Sequence, residues 1–148
     1  LERARSHHVG RLLLRAHRDF SARAIAKLRE RGYSGLTLSH LSLLPHLDTT
    51  GTRTTVLAER GGMTKQGMGQ LVIDLERQGY LVRQPDPTDG RAVLVTFSKQ
   101  GERLLGDALE VTGEVEAEYA AALGPERMAQ FREMLATLVE ENRAENQN

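Results

Sequence analysis

"TRTTVLAERGGMTKQGMGQLVIDLERQGYLVRQPDPTDGRAVLV", residues 52–95, sets a short apolar stretch, a glycine break, a longer amphipathic run and two β-branched segments in order. Its centre, "MTKQGMGQ" at 63–70, reads as a helix start although it carries Gly67 and Gly69. Each glycine in a helix interior is unfavourable by roughly 1 kcal/mol relative to alanine. Thr64 is a good N-cap for this run, which reaches Gln78 before Gly79 stops it. At about 100° per residue, Met68, Leu71, Val72 and Leu75 fall within one narrow inward arc. Gln66, Gln70, Ile73 and Arg77 lie opposite, and the two glycines take the shoulders. The outer face thus begins with two amides, which can hydrogen-bond adenine edges or phosphates. Thr64, Lys65 and the free N–H groups of the first turn suit phosphate. A solvated outer face would carry the same glutamines, so the helix alone leaves both readings open.

The flanking segments narrow the choice. Upstream, Thr52 is placed to cap a short helix containing Val56, Leu57 and Ala58, which "RGG" at 60–62 ends. Downstream, "YLVRQ" and "RAVLVTF" read as two short strands joined by "PDPTDG", whose Pro, Asp and Gly favour a turn. Two short helices joined by a glycine turn and followed by a hairpin make a winged helix-turn-helix, whose second helix can enter the DNA major groove. Arg91 stands at the wing's return, where a guanidinium can enter the narrow minor groove. Asp89 beside it fits a local ion pair or a prop that holds Arg91 in position.

Long helices flank this block. Val9, Leu13, Ala16, Phe20, Ala24 and Leu28 recur every three or four residues in a basic helix expected over 2–31, ended by Gly32. A second helix runs through "LTLSHLSLLPHL", where Leu36, Leu43 and Leu47 share a face with His40, and Pro45 should bend or shorten it. Ser98 is suited to cap a fifth helix whose Leu104, Ala108, Val111, Val115, Tyr119 and Ala122 form a seam for a partner helix. Pro125 opens a sixth, striped by Met128, Phe131, Leu135 and Leu138, and "ENRAENQN" at the end should fray. The fold class is therefore mainly α with a small β-hairpin wing. Residues 35–100 form the winged helix-turn-helix, and 1–34 and 101–148 the dimerisation helices.

The 148 residues carry a net charge of zero that hides an uneven distribution. Residues 1–47 hold nine Lys/Arg against three Asp/Glu, 48–100 seven against six, and 101–148 four against eleven. Such asymmetry fits an interaction surface, or basic and acidic segments folded onto one another. No Cys is present, which excludes a disulfide framework, a thiolate metal site and a thiol switch, and fits a reducing compartment. No apolar run approaches the roughly 20 residues of a membrane span, so no membrane role is expected. The sequence opens on Leu1, which leaves a preceding segment open.

The same stretch, 52–95, resembles the core of the MarR family of bacterial transcription regulators. The match is closest in "LAER", "DLERQGYL" and the wing "DPTDGRAVLV", and extends into "SKQGERLL". The D-x-R of the wing, followed by a strand, is the most specific part, and the resemblance covers about 36–105. It implies a cytoplasmic homodimer in which the first, fifth and sixth helices of two chains intertwine. It also implies two winged domains on successive turns of a pseudo-palindromic duplex, and DNA contacts from Thr52, Arg53, Thr64, Lys65, Gln66, Gly67, Gly69, Gln70, Asp89 and Arg91. Many relatives are repressors released by small aromatic or phenolic ligands. Members of the family often carry Ala, Ser or Thr where this chain has Gly67 and Gly69, and Arg or Glu where it has Gln70.

Of the five histidines, His17 lies between Leu13 and Phe20 by helical spacing and His40 on an apolar face. Both fit the border of an effector pocket, or partly buried structural positions; a pocket role would suit an anionic aromatic ligand. No metal-ligand spacing, phosphate loop or nucleophile elbow is present, so neither cofactor, metal nor enzymatic chemistry is expected. A competing reading is a winged-helix protein-interaction module without DNA binding, which the near-neutral centre and the two glycines would fit.

Overall fold

The computed structural model describes the backbone of residues 7–145 and side chains through residue 140. Helix α1 spans Val9–Glu30, α2 Leu38–Leu43 with a 3-10 turn at Leu44–His46, α3 Thr54–Arg60 and α4 Lys65–Arg77. Strands β1 (Thr52–Arg53), β2 (Leu81–Asp86) and β3 (Asp89–Phe97) surround α3 and α4 in sequence, and α5 (Lys99–Leu123) and α6 (Pro125–Glu145) follow. The chain divides into two compact units, residues 1–111 and 112–148.

Local chemistry explains most boundaries. His8 caps α1 by accepting the Arg11 N–H on Nδ1. The start expected at residue 2 lies outside the described residues. Helix α2 opens on a capping box in which Thr37 and His40 bond each other's backbone N–H, and Pro45 turns its end into the 3-10 turn. Helix α4 closes in a Schellman pattern: the Tyr80 N–H donates to Leu75 O, and Gly79 N–H to Glu76 O. Gly79 holds φ +85°, a conformation costly for residues with a Cβ. Ser98 caps α5, its Oγ accepting the Gly101 N–H at 3.0 Å while donating to Gly79 O at 2.5 Å. Pro125 stands at the first position of α6 as expected. That helix continues to Glu145, beyond the fraying expected from residue 141.

The core of the first unit is built by α4 against its neighbours. Met68, Val72 and Leu75 are fully buried, with Leu57 and Ala58 of α3, Leu43 and Leu44 of α2 and the following turn, and Leu81 and Val95 of the sheet. Burying each such large side chain stabilises the fold by about 1.5–3 kcal/mol. The inward arc read from the sequence is the buried face; Leu71 at its edge is half-buried. The sheet has the order β1-β3-β2, all antiparallel, with Leu81 opposite Phe97 and Thr52 opposite Val95. Pro85 sits in β2, an edge strand whose outer side needs no donor. The third strand, β1, is an addition to the expected hairpin and corrects one reading. Thr52 does not cap α3; it pairs in the sheet, and Arg53 takes the cap position without a side-chain bond.

Helix α5 is tied to the rest of its unit in two ways. Its first turn passes so close to the end of α4 that a Cβ on Gly101 would stand 2.0 Å from the Tyr80 carbonyl oxygen. Further along, Asp107 accepts from the Tyr33 hydroxyl and, at 3.1 Å, from Arg31, which also reaches Glu110 at 2.9 Å. Burial, with the neighbouring Asp107, pushes the Tyr33 hydroxyl up to about 12. Basic and acidic ends of the sequence therefore do meet, at this point at least. Leu104, Val111 and Val115 of the expected seam are buried, whereas Ala122 is exposed. Large apolar side chains nevertheless remain outward on the terminal helices: Val9 is 68% exposed, Leu109 67%, and Met134 and Val139 59% each.

Candidate nucleic-acid interface

Thr64 begins the site. Its Oγ accepts the Gly67 N–H at 3.0 Å, which satisfies one of the four donors that a helix start leaves open. The side chains of Thr64, Lys65 and Gln66 are exposed, and so is Gln70 one turn on. Gly67 and Gly69 are half-buried shoulders, as the helical spacing requires. A Cβ on Gly69 would meet nothing within 4 Å, whereas one on Gly67 would stand 3.0 Å from Thr64 Oγ. Neither glycine is demanded by a neighbouring helix. Gln70 is not a free amide: its Nε2 donates to Asp74 Oδ1 at 3.0 Å.

The wing is fixed to this helix rather than loosely appended. Arg83 on β2 donates through Nε to Glu76 of α4 at 2.7 Å. At the turn, Asp86 is a buried carboxylate that accepts the Thr88 hydroxyl at 2.7 Å and the Thr88 N–H at 2.8 Å. Arg53 adds an Nε bond to its other oxygen at 2.6 Å. The Thr88 hydroxyl and N–H, followed by Arg53, lower the Asp86 carboxyl from 3.8 to about 2. This cluster clamps the turn between β2 and β3 to the entry of α3, so helix pair and wing hold one geometry.

The positions expected from the sequence fall into three groups. Thr64, Lys65, Gln66, Gln70 and Arg91 are exposed on the α4 front and the wing. Thr52 and Arg53 are engaged by protein groups: Thr52 is buried, while Arg53 bonds Asp86 with its side chain still 40% exposed. Thr52 is 4% exposed, its Oγ accepting the Asp48 N–H at 2.9 Å and donating to the Asp48 carboxylate at 3.3 Å. Asp89 holds Arg91 through the backbone, accepting its N–H at 3.1 Å, and not through the guanidinium. Among the described residues the Arg91 guanidinium makes no ion pair.

The two histidines differ in setting. His17 is exposed on α1. His40 is buried, with Nδ1 accepting the Thr37 N–H at 3.1 Å and Nε2 3.7 Å from Asp74 Oδ2. Both of its ring nitrogens thus face protein groups. Among the described residues, no group of three His, Asp or Glu is placed to hold a metal ion, and no helix is long and apolar enough to cross a membrane. Sequence reading passed over Asp74, Asp86 and Thr88. The turn signal "PDPT" marked the place of the last two, but their partner Arg53 lies 33 residues away from Asp86.

Known proteins are similar to this chain in sequence and in fold. The family model described as "MarR family" matches residues 34–92. An uncharacterized HTH-type transcriptional regulator of Mycobacterium bovis is 36% identical over 91 residues, 61% of this chain and 64% of that protein. The aligned stretch thus spans slightly under two thirds of that relative. Among solved structures, the transcriptional repressor CouR bound to a 23-mer DNA duplex is 24% identical with a TM-score of 0.75, covering 90% of this chain and 94% of that one. CouR from Rhodococcus jostii RHA1 bound to p-coumaroyl-CoA is 25% identical with a TM-score of 0.70, covering 90% and 92%. The winged segment is thus similar to the MarR family, whose model matches residues 34–92, and the fold of the chain is shared with CouR across nine-tenths of its length.

Proposed function

We propose that this chain is a sequence-specific DNA-binding regulator that acts as a homodimer on a pseudo-palindromic duplex. The observation that carries the reading is the polar front of α4, where Thr64, Lys65, Gln66 and Gln70 stand exposed on a helix whose opposite face is buried. Gln66 and Gln70 meet base edges in the major groove, the first turn and Lys65 meet phosphate, and Arg91 reaches the adjacent minor groove. Gly69 lets the helix approach the sugar-phosphate closely, since nothing of the protein occupies the space a Cβ would take. Arg53 contributes through the clamp at the foot of the wing, and Thr52 through its pairing with Val95 and its bonds to Asp48.

The dimer reading is supported by the apolar side chains left outward on α1, α5 and α6. A second copy covering them would place two α4 helices about 34–36 Å apart, one turn of duplex. The sign of regulation is proposed as repression, released by a small aromatic or phenolic effector. CouR, a named repressor solved with DNA and with p-coumaroyl-CoA, supports both parts. Within this chain His17 is the candidate effector contact, because His40 is committed to Thr37 and faces Asp74. The proposed place of action is the cytoplasm.

Titration against duplexes selected from random sequence, at fixed salt, tests the interface. Arg91→Ala should weaken binding to every duplex about tenfold and reduce the salt slope by about one. Gln66→Ala should relax preference at one position per half-site by roughly 1–3 kcal/mol. A dimer that binds no duplex, or variants that bind like wild type, would overturn this interface and favour the protein-interaction reading.

A further inference from the structure

Gln70 and Asp74 lie one turn apart on α4, and the bond between them has a direction. The amide nitrogen donates to Asp74 Oδ1 at 3.0 Å. An amide can rotate by half a turn with almost no change in shape, exchanging its acceptor and donor ends. Here the exchanged orientation would set Oε1 against an ionised carboxylate oxygen, with no proton between them. Only one orientation is compatible with Asp74.

Asp74 is itself held from behind. It is half-buried, and His40 Nε2 stands 3.7 Å from Oδ2. The capping box settles which tautomer faces it: Nδ1 accepts the Thr37 N–H, so the ring proton lies on Nε2, toward the carboxylate. Arg77 NH1 lies 3.9 Å from Oδ1 on the outer side. The carboxylate thus has a positive or donor group on each side, and its place is fixed by α2 as well as by α4.

We propose that Asp74 is a positioning residue for base recognition: it holds the Gln70 amide in one orientation and so sets which hydrogen-bond pattern α4 offers a base pair. This rests on the reading of Gln70 as a base contact. With one N–H given to Asp74, the oxygen and the second N–H remain for a base in a fixed order. Adenine answers that order, its N6 donating to Oε1 and its N7 accepting from the amide. Without Asp74 the amide would rotate freely, and a base presenting the reverse order would be accepted nearly as well. A surface pair of this spacing adds little to helix stability, so its main consequence falls on recognition.

The test uses the full chain as Gln70→Ala, Asp74→Asn and the double variant, titrated against duplexes that vary each position of a selected site. Asparagine keeps the size but accepts either orientation of the neighbouring amide. Discrimination is a ratio measured on one preparation, so partial loss of folded protein leaves it unchanged. Gln70→Ala should leave the position read by Gln66 unchanged and lose the wild-type preference at one other position per half-site. Asp74→Asn should lose about tenfold of it at the same position, with affinity for unrelated duplex kept or raised, and the double variant should match Gln70→Ala. Uniformly tighter binding of Asp74→Asn with an unchanged preference profile would reduce Asp74 to a mere charge and overturn the proposal. If Gln70→Ala leaves every preference intact, the base-contact reading fails first and the positioning role with it.

Discussion

The winged block and the terminal helices solve the same problem differently. In residues 36–98 the apolar face of α4 is closed, Met68, Val72 and Leu75 being buried with Leu43, Leu57 and Leu81 and leaving a polar front, while Val82 and Val93 of the sheet stay exposed. Helices α1, α5 and α6 keep Val9, Leu109, Met134 and Val139 largely outward. Scattered exposed apolar residues are ordinary on a protein surface; their recurrence on each of these three helices is what the proposed dimer would use. The contrast teaches a division of labour. On the proposed function, the polar front of the block meets DNA and the outward apolar side chains of the helices meet a second copy of the chain.

The comparison breaks most visibly if charge is placed on the outward apolar face. Met134→Glu with Val139→Glu should weaken self-association by on the order of a hundredfold, because an isologous contact meets each new charge twice. Sedimentation would show it, and unchanged association would place the dimer contact elsewhere. Next in size is the junction of the two regions. Gly101→Ala drives a methyl into the Tyr80 carbonyl, and should cost about 3 kcal/mol, read as a fall in Tm of roughly 10 °C.

Within the block, acid should release the wing before it unfolds the core. The Asp86 carboxyl is lowered to about 2 in the fold against 3.8 unfolded. Below the folded value it is protonated in both states, so the stability it contributes is present above about pH 4 and lost as pH falls toward 2. Amide exchange at Thr88 should therefore quicken over that window, and Asp86→Asn should remove the pH dependence. The smallest effect is expected at Gly69. Alanine there meets open space and should raise stability by about 1 kcal/mol. Weaker DNA binding from a more stable protein would support close approach to the backbone, whereas tighter binding would mean the glycine keeps the helix soft.

How much of this was legible in the sequence depended on the range of the interaction. Thr64, Ser98 and Pro125 were readable because caps and helix starts are settled within three or four residues. The buried arc of α4 followed from helical period alone. Strand β1 was not readable: two residues become a strand only when β3 brings Val95 beside Thr52. The same limit hid the Arg53–Asp86 bond at the foot of the wing. The capping role of His40 was not readable because histidine is an unusual third residue in a capping box, where Glu or Gln is the usual signal. Family resemblance suggested where an interface should lie, but the direction of the Gln70 amide is visible only in three dimensions.

The central claim is that one finished polar block per chain reads a half-site while the terminal helices pair two chains. Selection of the intact protein on random duplex DNA, followed by footprinting of the enriched sites, tests it most directly. The account predicts a pseudo-palindrome with half-site centres about 10–10.5 base pairs apart, protected by two chains. Enrichment of single, unpaired half-sites bound by one chain, or no enrichment at all, would contradict it.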